Sequence, residues 1–246
     1  HPIYYFGSDE QKQNYLPELI NGNLVGCFGL TESEAGSDPS SMKTNFIEVS
    51  DGYIINGIKN WITNAHIADV FIIWALSKEK KVHGFIVNRK SQGLTTSMIE
   101  KASLKISPTG QIILNNVKVP KNNILPNTQG WKSVYSCLNK ARYGIAWGVM
   151  GAAESSWLIA KDYAENRIMF NKQLAVKQLI QKKLANMQTE ISLGLSACLH
   201  TGRAMDENKD TKIAIGMLKR NNCNKALRIV RDARDMLGAN GLLDEY

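Results

Sequence analysis

The segment from Phe28 to Asp38 carries the residue types best suited to binding a polar ligand. An apolar run from Leu24 to Leu30 predicts a buried strand that ends in this loop. Thr31 and Ser37 supply short hydroxyls, and Gly36 permits positive φ or a close backbone approach. Such a loop can hold a polar ring edge or a phosphate group. For this segment alone, an ordinary strand-to-turn connection is the alternative interpretation.

Composition limits the class of protein. With 246 residues, of which 43% are hydrophobic, the chain can form one large domain or two ordinary ones. No stretch approaches the roughly 18 apolar residues of a membrane span. The cysteines are widely spaced and the histidines lack metal-ligand spacing, so we predict a reducing compartment and no metal site. The net charge of +8 is dispersed, which suits polyphosphate ligands or an acidic partner better than nucleic acid.

The periodicity of the apolar residues changes along the chain. A helical pattern begins with a capping box at Ser8 and Gln11. Short segments in which apolar and polar residues alternate follow, and these predict strands. Hairpin turns are predicted at Asp51-Gly52 and Asn56-Gly57. This pattern predicts a compact β-barrel or sandwich of about a hundred residues.

The last part of the chain is helical in pattern. Three long helices are predicted, over about residues 131–165, 171–203 and 213–237. Three helices without a fourth leave one apolar face uncovered, so we expect an incomplete bundle. Because the sequence begins at His1-Pro2 and ends at Glu245-Tyr246 in what should be a continuing helix, we expect an interior piece of a longer protein.

Three further segments accompany the loop at residues 28–38. They are Lys-Asn-Trp-Ile-Thr-Asn-Ala at 59–65, Arg-Ile-Met-Phe at 167–170 with Gln173 and Gln178, and Asp-Met-Leu-Gly-Ala-Asn-Gly at 235–241. In this order the four segments resemble the acyl-CoA dehydrogenase family of flavoenzymes, and the resemblance runs from Gly7 to Tyr246. The glutaryl-CoA dehydrogenases of that family are the most similar, through residues 36–42, 142–148 and 218–223.

The resemblance implies an α+β fold with a central β-barrel domain followed by a C-terminal helical bundle. It places the end of a mostly absent N-terminal helical domain at residues 1–23, the barrel at 24–128 and the incomplete bundle at 129–246. It also implies FAD as the cofactor and a homo-oligomer, with a tetramer expected.

The resemblance assigns two groups of residues to FAD. The group that borders the flavin ring is Phe28, Leu30, Thr31, Gly36, Ser37, Trp61, Ile62 and Thr63. Thr63 is expected within hydrogen-bond reach of the flavin. For Trp61 considered alone, a core tryptophan in a strand is the alternative interpretation.

The second group would reach the adenosine half of the FAD of a neighbouring subunit. Its members are Arg167, Phe170, Gln178, Asp235, Leu237, Gly238 and Ala239. The fork of an arginine suits pyrophosphate, and a solvated arginine at a helix start is the alternative for Arg167. Phe170 and Gln178 are predicted on related faces of one helix. Asn171 and Ala239 replace glycines of the family pattern, and asparagine tolerates left-handed geometry.

The resemblance places the acyl-CoA substrate against Ser37, Tyr135, Leu138, Asn139 and Arg142. Arg142 lies early in a helix of mostly apolar neighbours, and a buried unpaired guanidinium would be costly. A carboxylate or the ligand is therefore expected to face Arg142, with a structural ion pair as the alternative.

In this family a glutamate removes the α-proton of an acyl-CoA thioester while hydride leaves the β-carbon for the flavin. Glutaryl-CoA members, which act in lysine and tryptophan degradation, also release carbon dioxide to give crotonyl-CoA and pass electrons to electron-transfer flavoprotein. The base glutamate is expected after Tyr246, and Ala141 stands where some relatives place it. Glu32 and Glu34 are interpreted as structural. Residues 1–246 alone are therefore expected not to turn over acyl-CoA.

Other functions stay open on the sequence. One is a short- or branched-chain acyl-CoA dehydrogenase, because the arginine that recognises the distal carboxylate of glutarate belongs to the absent N-terminal domain. Another is a non-catalytic member of the family that serves as a scaffold subunit. A basic nucleic-acid module is a more distant alternative. The mitochondrial matrix, in a eukaryote, or the cytoplasm, in a bacterium, suits the sequence.

Overall fold

The computed structural model describes residues 1–245, which form two compact units, one from His1 to Cys137 and one from Leu138 onward. The first unit contains helices α1 (Pro2–Phe6) and α2 (Asp9–Ile20) and the start of α3 (Trp131–Asn166). Its strands are β1 (Gly26–Gly29), β2 (Asn45–Val49), β3 (Gly52–Thr63), β4 (Val70–Leu76), β5 (Val82–Asn88), β6 (Leu94–Met98) and β7 (Thr109–Pro120).

The capping box predicted for α2 is confirmed. The Ser8 hydroxyl accepts a hydrogen bond from the Gln11 backbone N–H, and Gln11 Oε1 accepts one from Ser8 N. The buried Gln11 amide also donates to the carbonyls of Asn122 and Ile124, at 2.6 and 2.8 Å. One side chain therefore caps the helix and attaches it to the segment that follows β7.

The seven strands form one curled sheet in the order β1-β4-β2-β3-β7-β6, with β5 paired to β4. The β1 and β4 strands run parallel, whereas β2–β3, β3–β7, β4–β5 and β6–β7 are antiparallel. The concave core contains fully buried Ile55, Phe71, Ile73, Phe85 and Ile112. The predicted β domain is thus a half-barrel. In it, the segment that follows β1 lies next to the end of β3.

Only one of the two predicted hairpin turns is present. Asp51 and Gly52 lie at the β2–β3 turn, as expected. Asn56 and Gly57 instead lie inside β3 at an irregularity of the β3–β7 register, so the prediction of a second hairpin is wrong. Gly57 has φ of 152°, and a Cβ atom there would lie 2.3 Å from the Thr44 hydroxyl oxygen. The glycine therefore permits a close approach between segments instead of a chain reversal.

The second unit contains the remainder of α3, the short strands β8 (Ile168–Met169) and β9 (Lys172–Gln173), and helices α4 (Gln178–Asp206) and α5 (Lys212–Leu237). The three long helices are as predicted in number. The Tyr143 hydroxyl donates to the Cys198 carbonyl at 3.0 Å, and the buried Asn222 amide donates to the Ala146 carbonyl at 3.1 Å. These contacts join all three helices around an apolar core.

One helix boundary differs from prediction, and the helix expected at the end of the sequence is not formed in the described residues. α4 begins at Gln178 and not at residue 171, because residues 168–173 form the β8–β9 hairpin. α5 ends at Leu237, where Gly238 has φ of 60° and opens a 3-10 turn over Gly238–Leu242. The continuing helix expected at the end of the sequence is therefore absent from residues 243–245, and Tyr246 lies outside the described residues. Over residues 1–245, the helices contain no apolar stretch of membrane-spanning length.

We expect Gly57→Ala to destabilise the first unit by about 1–3 kcal/mol, because the new methyl group would overlap Thr44. Urea unfolding monitored by tryptophan fluorescence would measure this loss. Gly36→Ala is the matched control, since a Cβ atom there meets nothing within 4 Å. The control should stay within about 0.5 kcal/mol of the parent. Equal stability of the two variants would contradict the close approach at Gly57.

Candidate functional site

A buried ion pair lies beneath the loop that follows β1. The Lys59 side chain is fully buried in β3, and its ammonium donates to Glu32 Oε1 at 2.9 Å and to the Leu30 carbonyl at 3.0 Å. The Glu32 carboxylate also accepts hydrogen bonds from the backbone N–H groups of Lys43 and Thr44, at 2.7 and 3.0 Å. The pair therefore joins three separate segments: the loop, the stretch before β2, and β3.

The environment keeps both groups of this pair charged near neutral pH. Burial alone would raise the pKa of Glu32, but the Lys59 ammonium and the Lys43 N–H outweigh it and leave the pKa below its usual value. Burial lowers the pKa of Lys59 to about 8, against the opposing effect of Glu32. Glu32 is thus committed to a structural ion pair, and Glu34 forms an exposed pair with Lys43. Both observations agree with the structural interpretation of these glutamates.

The strand β3 bulges immediately after Lys59. Lys59 lies opposite Ile112 and Ile62 lies opposite Gly110, so β3 has one more residue than β7 between these pairs. In a regular strand Lys59 and Trp61 would face the same side. The bulge, with Trp61 at φ of 60°, leaves Lys59 buried and turns Trp61 outward with 58% of its surface exposed. The alternative of a core tryptophan is therefore wrong.

Two hydrogen bonds hold the loop that follows β1 beside the end of β3. The Asn60 backbone N–H donates to the Thr31 carbonyl at 2.8 Å, and the Asn60 amide donates to the Ser33 hydroxyl at 3.0 Å. Lys59 and Asn60 belong to the motif at residues 59–65, which had indicated no role for either of them. Lys59 is the one charged residue of β3, and this was the signal that could have identified the ion pair, because buried charges require partners.

The residues predicted to border the flavin ring fall into a buried and an exposed group. The side chains of Leu30 and Ile62 are buried in the core, and Phe28 packs edge-on against Trp74 with ring centroids 6.1 Å apart. Ser37 and Thr63 are exposed, and Thr31 is partly exposed. In residues 1–245 the hydroxyls of these three residues have no hydrogen-bond partner. The segments thus present three free hydroxyls, the exposed Gly36 backbone and one indole face, a donor set that fits the polar edge and flat face of an isoalloxazine ring.

The second predicted group lies in the second unit, spread over the β8–β9 hairpin, the start of α4 and the end of α5. Phe170 and Asn171 occupy the β8–β9 turn with φ of 52° and 58°, and Phe170 is 85% exposed. The prediction that Phe170 shares a helix face with Gln178 is wrong, because α4 starts only at Gln178. The left-handed conformation of Asn171 agrees with the tolerance expected of asparagine there.

A pocket of about 410 Å³ brings most of that group together. Its lining includes Arg167, Asp235, Leu237, Gly238 and Ala239. The Arg167 guanidinium makes no hydrogen bond or ion pair with the described part of the chain. A hydrogen bond from Lys183 lowers the pKa of the exposed Asp235 carboxyl and occupies that carboxylate. The pocket therefore offers a free guanidinium beside an exposed glycine, which suits a phosphate-bearing ligand.

The predicted substrate residues on α3 follow helical spacing at positions 135, 138, 139 and 142. Tyr135 is 44% exposed, and Leu138 and Asn139 are partly buried. The expectation that a carboxylate faces a buried Arg142 is wrong. Its side chain is exposed and donates to Asn139 Oδ1 at 3.0 Å, so water already solvates the guanidinium. Within residues 1–245 no cluster of three or more metal-ligating side chains occurs.

We expect Glu32→Gln to lower the free energy of unfolding by about 3–5 kcal/mol, because it leaves the buried Lys59 ammonium without its counter-charge. Chemical denaturation at neutral pH measures the loss. Glu34→Gln removes an exposed carboxylate from the same loop and serves as the control. A similar small effect of both substitutions would show that the buried pair is not formed.

The same pair predicts a defined dependence on pH. A carboxyl group whose pKa is lower in the folded state contributes stability above its unfolded pKa of 4.5, and this contribution disappears as pH falls through the folded value. The stability difference between the parent and Glu32→Gln should therefore be full at neutral pH and shrink as the pH falls below 4.5. Urea titrations across this range test it, and a difference that stays constant down to the lowest pH would contradict it.

Comparison with known proteins places this geometry in a family. The family model for acyl-CoA dehydrogenase middle domains matches residues 27–117, and the one for acyl-CoA dehydrogenase C-terminal domains matches residues 128–246. The probable acyl-CoA dehydrogenase YngJ of Bacillus subtilis (strain 168) is 36% identical over 252 residues, which cover 100% of this chain and 66% of that protein. The chain spans about two thirds of the length of the curated relatives it matches.

Two solved structures illustrate the range of relatives. A glutaryl-CoA dehydrogenase from Mycobacterium smegmatis in complex with FADH2 is 40% identical, with a TM-score of 0.96, over 100% of this chain and 64% of that one. Butyryl-CoA dehydrogenase from Megasphaera elsdenii is 32% identical, with a TM-score of 0.94, over 100% and 66% of the respective chains. The family and the FADH2 complex indicate FAD as the cofactor. Together with the matched domains, they show that this chain belongs to the acyl-CoA dehydrogenase family.

Proposed function

We propose that this chain is the flavin-binding part of an FAD-dependent acyl-CoA dehydrogenase whose substrate is glutaryl-CoA. The observation that carries the proposal is the pair of adjacent segments, the loop after β1 and the bulge of β3. They present Thr31, Ser37, Trp61 and Thr63 outward. FAD, when bound, accepts the two electrons removed from the acyl chain. The chain's own contribution is to bind the ring, orient the thioester and exclude water from it.

The flavin-facing chemistry follows from the outward groups. The indole of Trp61 provides a flat apolar surface, and the Thr63 hydroxyl lies two residues further along the same exposed side of the bulge. Thr31 and Ser37 offer hydroxyl donors on the adjoining loop. Because none of these hydroxyls is engaged within the described chain, each can bind the ring without breaking an internal hydrogen bond.

The Arg167 pocket would serve the adenosine half of a neighbouring subunit's FAD. Its free guanidinium can form paired bonds to a pyrophosphate, and the exposed Phe170 ring can stack on a base. Gly238 lines the same pocket, and Gln178 is exposed at the start of α4 in the same unit. A site shared in this way would require at least a dimer, and we propose a tetramer.

The substrate would lie along the exposed positions of α3. Tyr135 and Asn139 border the proposed acyl channel, and the solvated Arg142 offers a positive charge for an anionic ligand. Electrons would then pass to electron-transfer flavoprotein. We place the α-proton acceptor outside these residues, because Glu32 is committed to Lys59 and residue 141 is alanine.

Support for glutaryl-CoA is the 40% identity to the mycobacterial glutaryl-CoA dehydrogenase, together with the resemblance of residues 36–42, 142–148 and 218–223 to glutaryl-CoA dehydrogenases. The similarity to butyryl-CoA dehydrogenase favours the second candidate, a short- or branched-chain acyl-CoA dehydrogenase. A non-catalytic scaffold subunit would share the flavin segments and lack turnover.

We expect Arg167→Met to weaken FAD binding at least tenfold, since a charge-assisted contact to phosphate contributes about 1.5–3 kcal/mol. Fluorescence titration of the apoprotein with FAD measures the affinity. Arg231→Met is the control, because Arg231 is also exposed on the second unit but lies outside the pocket. Sedimentation should show an oligomer in the FAD-bound parent, and a monomer that holds FAD tightly would contradict the shared site.

Substrate identity is tested by product analysis on the full-length protein with an artificial electron acceptor. Glutaryl-CoA should yield crotonyl-CoA and carbon dioxide in equal amounts, whereas butyryl-CoA should react much more slowly. Faster oxidation of butyryl-CoA or isovaleryl-CoA, without carbon dioxide from glutaryl-CoA, would replace the proposed substrate with the short- or branched-chain alternative.

A further inference from the structure

We propose that Glu32 and Lys59 are positioning residues for the flavin: their ion pair sets the separation between the loop at residues 30–37 and the bulge at residues 60–63. This inference rests on the proposed function, because it concerns the same FAD site. It goes beyond that function by assigning a role to two buried residues that face the core and not the ligand.

The first step is how Lys59 reaches the loop. A Cβ atom on Gly29 would lie 3.4 Å from Lys59 Cγ and 2.7 Å from the Ile73 side chain, so the absence of a side chain at Gly29 leaves room for the lysine stem. The ammonium then meets the Leu30 carbonyl and Glu32 Oε1 directly under the start of the loop. Its position is therefore fixed by both β1 and β3.

The second step is how the pair shapes the loop. Reciprocal backbone hydrogen bonds between Glu32 and Ala35, at 3.2 and 3.1 Å, close a tight turn. The Glu32 carboxylate attaches this turn to Lys43 and Thr44 on one side and to Lys59 on the other. Gly36 and Ser37 follow the turn directly, so their height above the sheet depends on where the Glu32 carboxylate lies.

The third step is why the pair is charged. A buried ion pair stabilises a fold weakly compared with apolar residues of similar volume, because both charges lose their hydration. What it supplies is geometry, since one ammonium with several fixed acceptors allows a single arrangement of the attached segments. Lys59 is also the residue before the bulge, so the element that anchors the loop is continuous with the element that presents Trp61 and Thr63.

The decisive variant is Glu32→Asp in the full-length protein. It keeps the negative charge and shortens the side chain by one carbon, so a role in charge compensation alone would tolerate it, whereas a positioning role would not. We expect FAD affinity to fall at least fivefold, with faster exchange of the Lys43 and Thr44 amide protons that donate to Glu32. Glu34→Asp, in the exposed pair with Lys43, is the matched control and should change neither quantity.

A second variant tests the inference if Glu32→Asp does not fold. Glu32→Leu combined with Lys59→Met replaces the pair by apolar side chains, and we expect a folded protein with at least tenfold weaker FAD binding. Ile112→Val, opposite Lys59 on β7, controls for a mild loss of core packing and should retain parental FAD affinity. Parental FAD affinity in both Glu32 variants would overturn the inference, as would faster amide exchange without weaker binding.

Failure of the proposed function gives a different pattern. If the parent binds no FAD, the FAD site itself is refuted. The amide exchange of Lys43 and Thr44 in the flavin-free protein still reports whether Glu32 and Lys59 hold the loop. Unchanged exchange in Glu32→Asp would then overturn the positioning inference independently.

Discussion

The ion pair between Glu32 and Lys59 is the interaction on which the proposed flavin site depends. It lies where the apolar core of the half-barrel ends and the loop after β1 begins. Its partners come from three segments far apart in sequence, so the loop cannot take its shape from local residues alone. The hydrophobic core fixes the sheet, and the pair fixes how the loop rests on that sheet.

The bulge in β3 is the second constraint, and it acts together with the pair. A regular strand would direct Trp61 to the same side as the buried Lys59. The one extra residue of β3 allows the lysine to point inward and the tryptophan outward within three positions. Buried and exposed residues can thereby alternate along this strand, which explains why one short motif contains both.

Local patterns predicted local structure well. The capping box at Ser8, the turn at Asp51-Gly52 and the three long helices all depend on neighbouring residues, and all are present. The errors came from tertiary contacts. Asn56-Gly57 has the composition of a turn, but its glycine accommodates Thr44 across the sheet. Arg142 has apolar sequence neighbours, but it is exposed. Which face of α3 is exposed depends on tertiary packing, which the local pattern around Arg142 does not show.

The candidate site shows the same division. The residues proposed to face the ligand stood out through the resemblance of whole motifs, whereas the burial of Leu30 and Ile62 and the ion pair of Lys59 required the three-dimensional structure. The hairpin at Phe170 and Asn171 was missed because its strands contain only two residues each, too few for a periodic pattern.

The most direct measurement is an anaerobic titration of the flavin-loaded, full-length protein with acyl-CoA, following the flavin absorbance at about 450 nm. If the protein is an FAD-dependent acyl-CoA dehydrogenase for glutaryl-CoA, then glutaryl-CoA should bleach the flavin absorbance stoichiometrically. Bound flavin that no acyl-CoA bleaches would contradict dehydrogenase activity and favour a scaffold subunit.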